Sequence, residues 1–88
     1  MKYLVSYNLQ TPGKDYDSLY NVLKSASSWA HYLESTWFIS SNEPLDFWHE
    51  KIKNVIDAND SFFIVDISNS LCDGWLPKNA WVWLNSHT

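Results

Sequence analysis

Residues 28–40 read SWAHYLESTWFIS. Trp, Tyr, Thr, Phe and Ile are residue types that pleated strands favour. They fall here in two runs, Trp29 to Glu34 and Thr36 to Ser40, with a connection near Glu34-Ser35 that is too short for anything but a tight turn. The stretch reads as two adjoining strands. What flanks it then decides the fold.

Toward the N-terminus, Lys2 to Asn8 alternates. Tyr3, Val5 and Tyr7 fall on one face of a strand, and Leu4, Ser6 and Asn8 fall on the other. Gln10-Thr11-Pro12-Gly13-Lys14 is a turn, with Pro fixing φ and Gly permitting positive φ. A helix follows, capped by Asp15 or Asp17 and presenting Tyr16, Leu19, Tyr20, Leu23 and Ala26 on one face. Toward the C-terminus, Ser41-Asn42-Glu43-Pro44 is a helix start, and Leu45, Trp48, Ile52, Val55 and Ile56 recur at helical spacing. Asp57 to Asp60 closes that helix. Ser61 to Ser68 is the last strand, and its FFIVDI run predicts cover on both faces.

The order β-α-β-β-α-β predicts an α+β domain of the ferredoxin-like type. Its four-stranded antiparallel sheet, in the order 4-1-3-2, carries both helices on one face. Residues 1–88 form one such domain, and residues 69–88 are a docking tail. In that tail Gly74 makes a bend and Pro77 opens a short helix. Ala80, Trp81 and Leu84 dock on one side of this helix, and Trp83 lies on another.

A chain of 88 residues buries only about 60–65 % of its unfolded surface. Six Trp, five Tyr and four Phe are ample for a core and leave aromatics for an interface. A homodimer is expected, with Leu4, Ser6 and Asn8 near its axis. The net charge is −4 and every cation is Lys. Without Arg or a basic field, tight duplex binding is disfavoured. Cys72 is alone, so an internal disulfide and a Cys-based metal site are excluded and a reducing cytoplasm is expected. No signal peptide or membrane span is legible.

Candidate sites are few. Asn8 stands where β1 ends and either contacts a ligand or closes the strand. Gly13 and Lys14 offer close backbone approach and a cation at a helix start, where Asp15 opposes an anion. A ligand pocket is expected at the dimer seam, lined by Asn8, the turn at Gly13-Lys14 and Trp75 from the tail. Asp15, Asp17, Asp60 and Asp66 would make a metal site only by converging, and Asp66, in an apolar strand, needs a wet edge or a partner such as Lys2 or a tail N–H. His31, His49 and His87 lack metal-ligand spacing. The six Trp residues could stack bases, but STWFIS lacks the glycines and the cation of an RNA-recognition strand. No catalytic residue, metal or cofactor is assigned.

The first strand KYLVSYNL, the Pro-Gly-Lys turn, SWAHYLESTWFIS and the ending GWLPKNAWVWL together resemble small bacterial and phage proteins catalogued as "SinR family". In fold these are similar to the CRISPR adaptation endoribonuclease and to VapD toxins, ferredoxin-like homodimers. That resemblance implies a first strand ending in Tyr-Asp, with the paired Asp residues of a dimer holding a divalent metal. Here the dipeptide is Tyr7-Asn8, and a neutral amide is a poor ligand for a hard cation. The expectation is a non-catalytic homodimeric binding protein on a nuclease-like scaffold. Its ligand is a nucleotide, a nucleic acid or a protein, and phage counter-defence fits its size and acidity. The alternative is a metal-dependent endoribonuclease in which another carboxylate replaces position 8.

Overall fold

The computed structural model describes residues 1–10 and 15–87. Along the chain run β1 (Lys2–Asn8), α1 (Asp17–Lys24), β2 (Ser28–Leu33), β3 (Thr36–Ser40), α2 (Leu45–Lys53), β4 (Ser61–Asp66) and α3 (Lys78–Ser86). The strands form one antiparallel sheet in the order β2-β3-β1-β4, or β4-β1-β3-β2 from the other edge. The predicted hairpin turns at Glu34-Ser35, although β2 starts one residue early and is irregular between Ala30 and Leu33.

Alternation along β1 sorts the core into two. Tyr3, Val5 and Tyr7, with Trp37 and Ile39 of β3, pack beneath Leu19 and Leu23 of α1 and Trp48 and Ile52 of α2. Tyr20, Val55 and Ile56 lie partly buried at the margin of this cluster. On the second face, Ala30, Phe38, Ile67 and Leu84 form a smaller cluster joined by Leu4, Val65, Leu76, Trp81 and Trp83. α3 therefore covers part of the face opposite α1 and α2. Trp83 belongs to the same cluster as Trp81, contrary to its expected place on another side of the helix.

The strand buried on both faces is β3, where Trp37, Phe38 and Ile39 are all buried in succession. β4 is richer in apolar residues but is an edge strand, and its Phe63 is 63 % exposed. The expectation that both faces of β4 are covered is thus corrected. Position in the sheet, not apolar content, decides which strand is enclosed.

Helix ends follow simple electrostatics. α1 and α2 each carry an acidic residue in the first turn and Lys in the last, the signs that suit the helix dipole. Asp15 accepts the Asp17 N–H at 2.9 Å, and Ser41 accepts the Glu43 N–H at 2.9 Å just before α2. α2 stops at Lys53, earlier than its apolar spacing suggests; Val55 and Ile56 reach the core from the following turn. The Asp60 carboxylate accepts N–H groups from Asp57 at 2.8 Å and Gln10 at 2.7 Å, and the Tyr16 hydroxyl at 2.9 Å. It ties the turn before β4 to the end of β1 and the start of α1. Among the described residues no helix is long and apolar enough to cross a membrane.

Candidate binding surface

The second face of the sheet is built from alternate residues of three paired strands: Lys2, Leu4, Ser6 and Asn8 of β1, Thr36 and Phe38 of β3, and Ser61, Phe63 and Val65 of β4. α3 is fastened over one end of it. This helix has no basic residue in its last turn. The cation comes instead from β1: Lys2 Nζ donates to the Leu84 carbonyl at 2.9 Å and the His87 carbonyl at 3.2 Å. The Trp83 indole N–H donates to Ser28 Oγ at 2.8 Å, and its ring lies over Phe38 at 6.2 Å. Lys2 is thereby assigned to α3 and not to Asp66.

The other end of this face is open. Ser6 is half-buried, accepting from Thr36 Oγ1 at 3.3 Å. Asn8 is exposed, opposite Ser61, beside a shallow hollow of about 250 Å³ bordered by Phe63. Between the open and covered ends lies an apolar cavity of about 470 Å³, floored by Leu4, Phe38 and Ile67 and walled by Trp81 and Leu84 of α3. Residues 67–77 form a strap from β4 to α3, and residues 71–76 of it form the cavity's rim. Residues 69–75 of the strap are all exposed, Leu71 completely and Trp75 by 99 %. Gly74 turns the strap at φ 156°, a value that L side chains rarely adopt.

The predicted site residues are only partly brought together. Asn8 and Trp75 border different hollows. Gly13 and Lys14, with the phosphate reading placed on them, lie outside the described residues. Leu4 belongs to the second-face cluster and the cavity floor, while Ser6 and Asn8 lie in the open half. Asp60 is engaged in the clasp described above. Asp66 is exposed and accepts both the backbone N–H and the hydroxyl of Ser68. Among the described residues no three of His, Cys, Asp and Glu are grouped to hold a metal ion. His31 stacks on Trp37 at 4.0 Å, with Nε2 3.1 Å from the Glu34 carbonyl; His87 stacks on Trp83 at 4.2 Å.

Base stacking on the Trp residues finds little room. Trp37 is buried under His31, Tyr20 and Trp29, at ring separations of 4.0, 6.2 and 5.2 Å. Trp48 is buried beneath α2, and Lys24 Nζ lies 5.5 Å over Trp29. Trp75 is the tryptophan left fully open.

The Asp66 carboxyl and the Tyr3 and Tyr7 hydroxyls are shifted. Hydrogen bonds from the Ser68 hydroxyl and backbone hold the Asp66 carboxyl below its usual range. Burial pushes the Tyr3 and Tyr7 hydroxyls up. The negative charge of Asp66 adds to the rise at Tyr3, while the Trp37 indole N–H, donating to Tyr7 at 3.0 Å, works against the rise there. Tyr20, beside the Tyr7 hydroxyl, adds to the rise there.

Sequence reasoning missed Leu33, Phe63 and Leu71 as surface features. Leu71 carried a signal: it is a lone aliphatic residue in the polar run Asn69-Ser70-Leu71-Cys72-Asp73, with no periodic partner to draw it inward. Phe63 carried a weaker one, sharing its strand face with Ser61. No model of a known protein family matches the chain, and no curated protein matches it either.

Proposed function

We propose that the chain is a small, non-catalytic binding protein of the cytoplasm, a homodimer on a ferredoxin-like scaffold that uses the second face of its sheet. The ferredoxin-like reading is supported by the order β4-β1-β3-β2 and by α1 and α2 sharing one core. The observation that carries the functional reading is the exposed apolar group of the second face: Trp75, Leu71 and Leu33 stand open beside an apolar cavity, and Phe63 stands open on β4 of the same face. Contiguous exposed apolar surface on a small domain marks an interaction site.

Of the three ligand classes, a protein surface is the best supported. A phosphate-bearing ligand needs cations, and Lys2, the cation on the strands of this face, is spent on α3. Catalysis is left out because Asn8 carries no charge and the shifted hydroxyls of Tyr3 and Tyr7 belong to the core on the other face. Light scattering on wild type and Phe63→Glu tests the reading. The expected result is a dimer for wild type, and for the variant a folded monomer, because two buried, unpaired charges oppose association. A monomeric wild type refutes the homodimer. Metal-dependent cleavage of RNA by the purified protein, abolished by one Asp→Asn change, refutes the non-catalytic reading.

A further inference from the structure

The strap sets an unusual pair of features side by side: a cavity whose floor and far wall are apolar, and, on its rim, an indole that touches almost nothing of its own chain. A Trp side chain buried in an interface removes about 150–250 Å² from water, and Trp is among the commonest anchors of such interfaces. We propose that the cavity is completed by Trp75 of a second copy of this chain. The exchange is reciprocal, each protomer holding the other's indole. This rests on the homodimer reading above and adds the residue that each copy contributes to the other's site.

Three observations favour a second copy as the occupant. First, an isologous twofold contact needs one patch to carry both the knob and the hole, and Trp75 stands on the rim of the same cavity that it would fill in the partner. Second, the charges permit it. The chain is acidic, at −4, yet no second-face strand position paired across the sheet is a carboxylate. Two copies can therefore lay these strands against each other without like-charge repulsion, whereas a cationic partner finds nothing on them to bind; the strap itself carries Asp73. Asp73, on the cavity rim, supplies an acceptor for an incoming indole N–H; one of its oxygens already takes the Gly74 N–H at 2.7 Å. Third, the area is sufficient as a nucleus. Trp75 and Phe63 from both copies would bury on the order of 600 Å². Leu33 and Leu71 add to this, toward the roughly 1,200–2,000 Å² of a stable interface. The strap is also free to adjust, since the hydrogen bonds of Ser70, Cys72 and Gly74 stay within it.

The test is fluorine NMR on full-length protein labelled with 5-fluorotryptophan, with the Trp75 resonance assigned from Trp75→Phe. Dilution from about 100 µM to about 0.1 µM, a span that brackets common dimer affinities, is followed in parallel by light scattering. The expected result is a Trp75 resonance that moves from a buried to a solvent-exposed position as the dimer dissociates. Trp75→Ala should raise the dimer dissociation constant by about thirtyfold or more, as loss of an interface anchor does. Its circular dichroism should stay native, because the side chain supports nothing in its own chain. A dimer whose Trp75 remains solvent-exposed, or whose affinity survives Trp75→Ala, overturns the exchange and leaves the homodimer standing. A Trp75 that stays buried after light scattering shows the dimer to have dissociated fills its own cavity and also overturns the exchange. A wild-type monomer at about 100 µM overturns the exchange together with the homodimer.

Discussion

Tyr7 and Asp66 show how much a single side chain's surroundings decide. Tyr7 sits in the main core, and its hydroxyl is the acceptor for the buried Trp37 indole N–H at 3.0 Å. Tyr7→Phe keeps the ring and removes that acceptor. A buried donor left unpaired costs about 1–3 kcal/mol, and urea unfolding should show a loss of that size. The same fold already leaves the buried Trp48 indole N–H without a partner among the described residues, so Tyr7→Phe would add a second such donor. Asp66 is the opposite case, exposed and held ionised by Ser68. Its folded-state pKa lies below the unfolded value, so its contribution to stability is present above about pH 4 and is lost as pH falls through the folded value. Ser68→Ala removes the larger of its two Ser68 bonds. An NMR titration should then find the Asp66 carboxyl moved up toward its ordinary value, with the acid-side loss beginning at higher pH.

At the scale of elements, α3 has no counterpart in the β-α-β-β-α-β core. Its apolar residues Ala80 and Leu84 are buried against the sheet, and its last carbonyls are met by a lysine 82 residues away in sequence from Leu84. Lys2→Met preserves the buried stem and deletes the cation. Hydrogen exchange should show α3 amides opening faster while the β1 and β3 amides keep their protection, and the global loss should be about 1–2 kcal/mol. Equal acceleration of β1 and α3 would show that the helix and sheet unfold as one unit and that Lys2 is not a separate fastening. α1 and α2 differ in this respect: each supplies its own terminal charges, so each is legible locally.

The whole molecule rests on two clusters of unequal size on either side of one sheet. The larger contains both tyrosines whose hydroxyls are pushed up, chiefly by burial. For such groups the protonated form is favoured in the folded state. The stability they contribute is complete below the unfolded pKa of about 10 and is lost as pH rises through the folded values. Alkaline titration should therefore show Tyr3 and Tyr7 ionising together with global unfolding above about pH 10, by absorbance and circular dichroism in step. Ionisation of all five tyrosines with native dichroism would contradict the burial argument. The smaller cluster is only half roofed, by α3, and that shortfall creates the open surface on which the proposed function depends.

Much of this was legible in the sequence, for a physical reason: strand and helix periodicities are local. The alternation of Tyr3, Val5 and Tyr7 against Leu4, Ser6 and Asn8 placed each set on its observed face, and the short Glu34-Ser35 link set β2 beside β3. The spacing of Leu19, Leu23, Trp48 and Ile52 named four core residues. What local pattern could not supply is position. FFIVDI is more apolar than TWFIS, yet β3 is enclosed and β4 is an edge, because burial depends on which strands lie between others in three dimensions. Asn8 and Trp75, candidates for one site, border two hollows, because the strap carries Trp75 to the α3 end of the sheet. Trp75, Trp37 and Trp48 are chemically alike, and sequence alone could not rank them. Only the tertiary structure decided that two are core and one stands open, because a side chain's exposure is set by the neighbours that the rest of the chain brings to it.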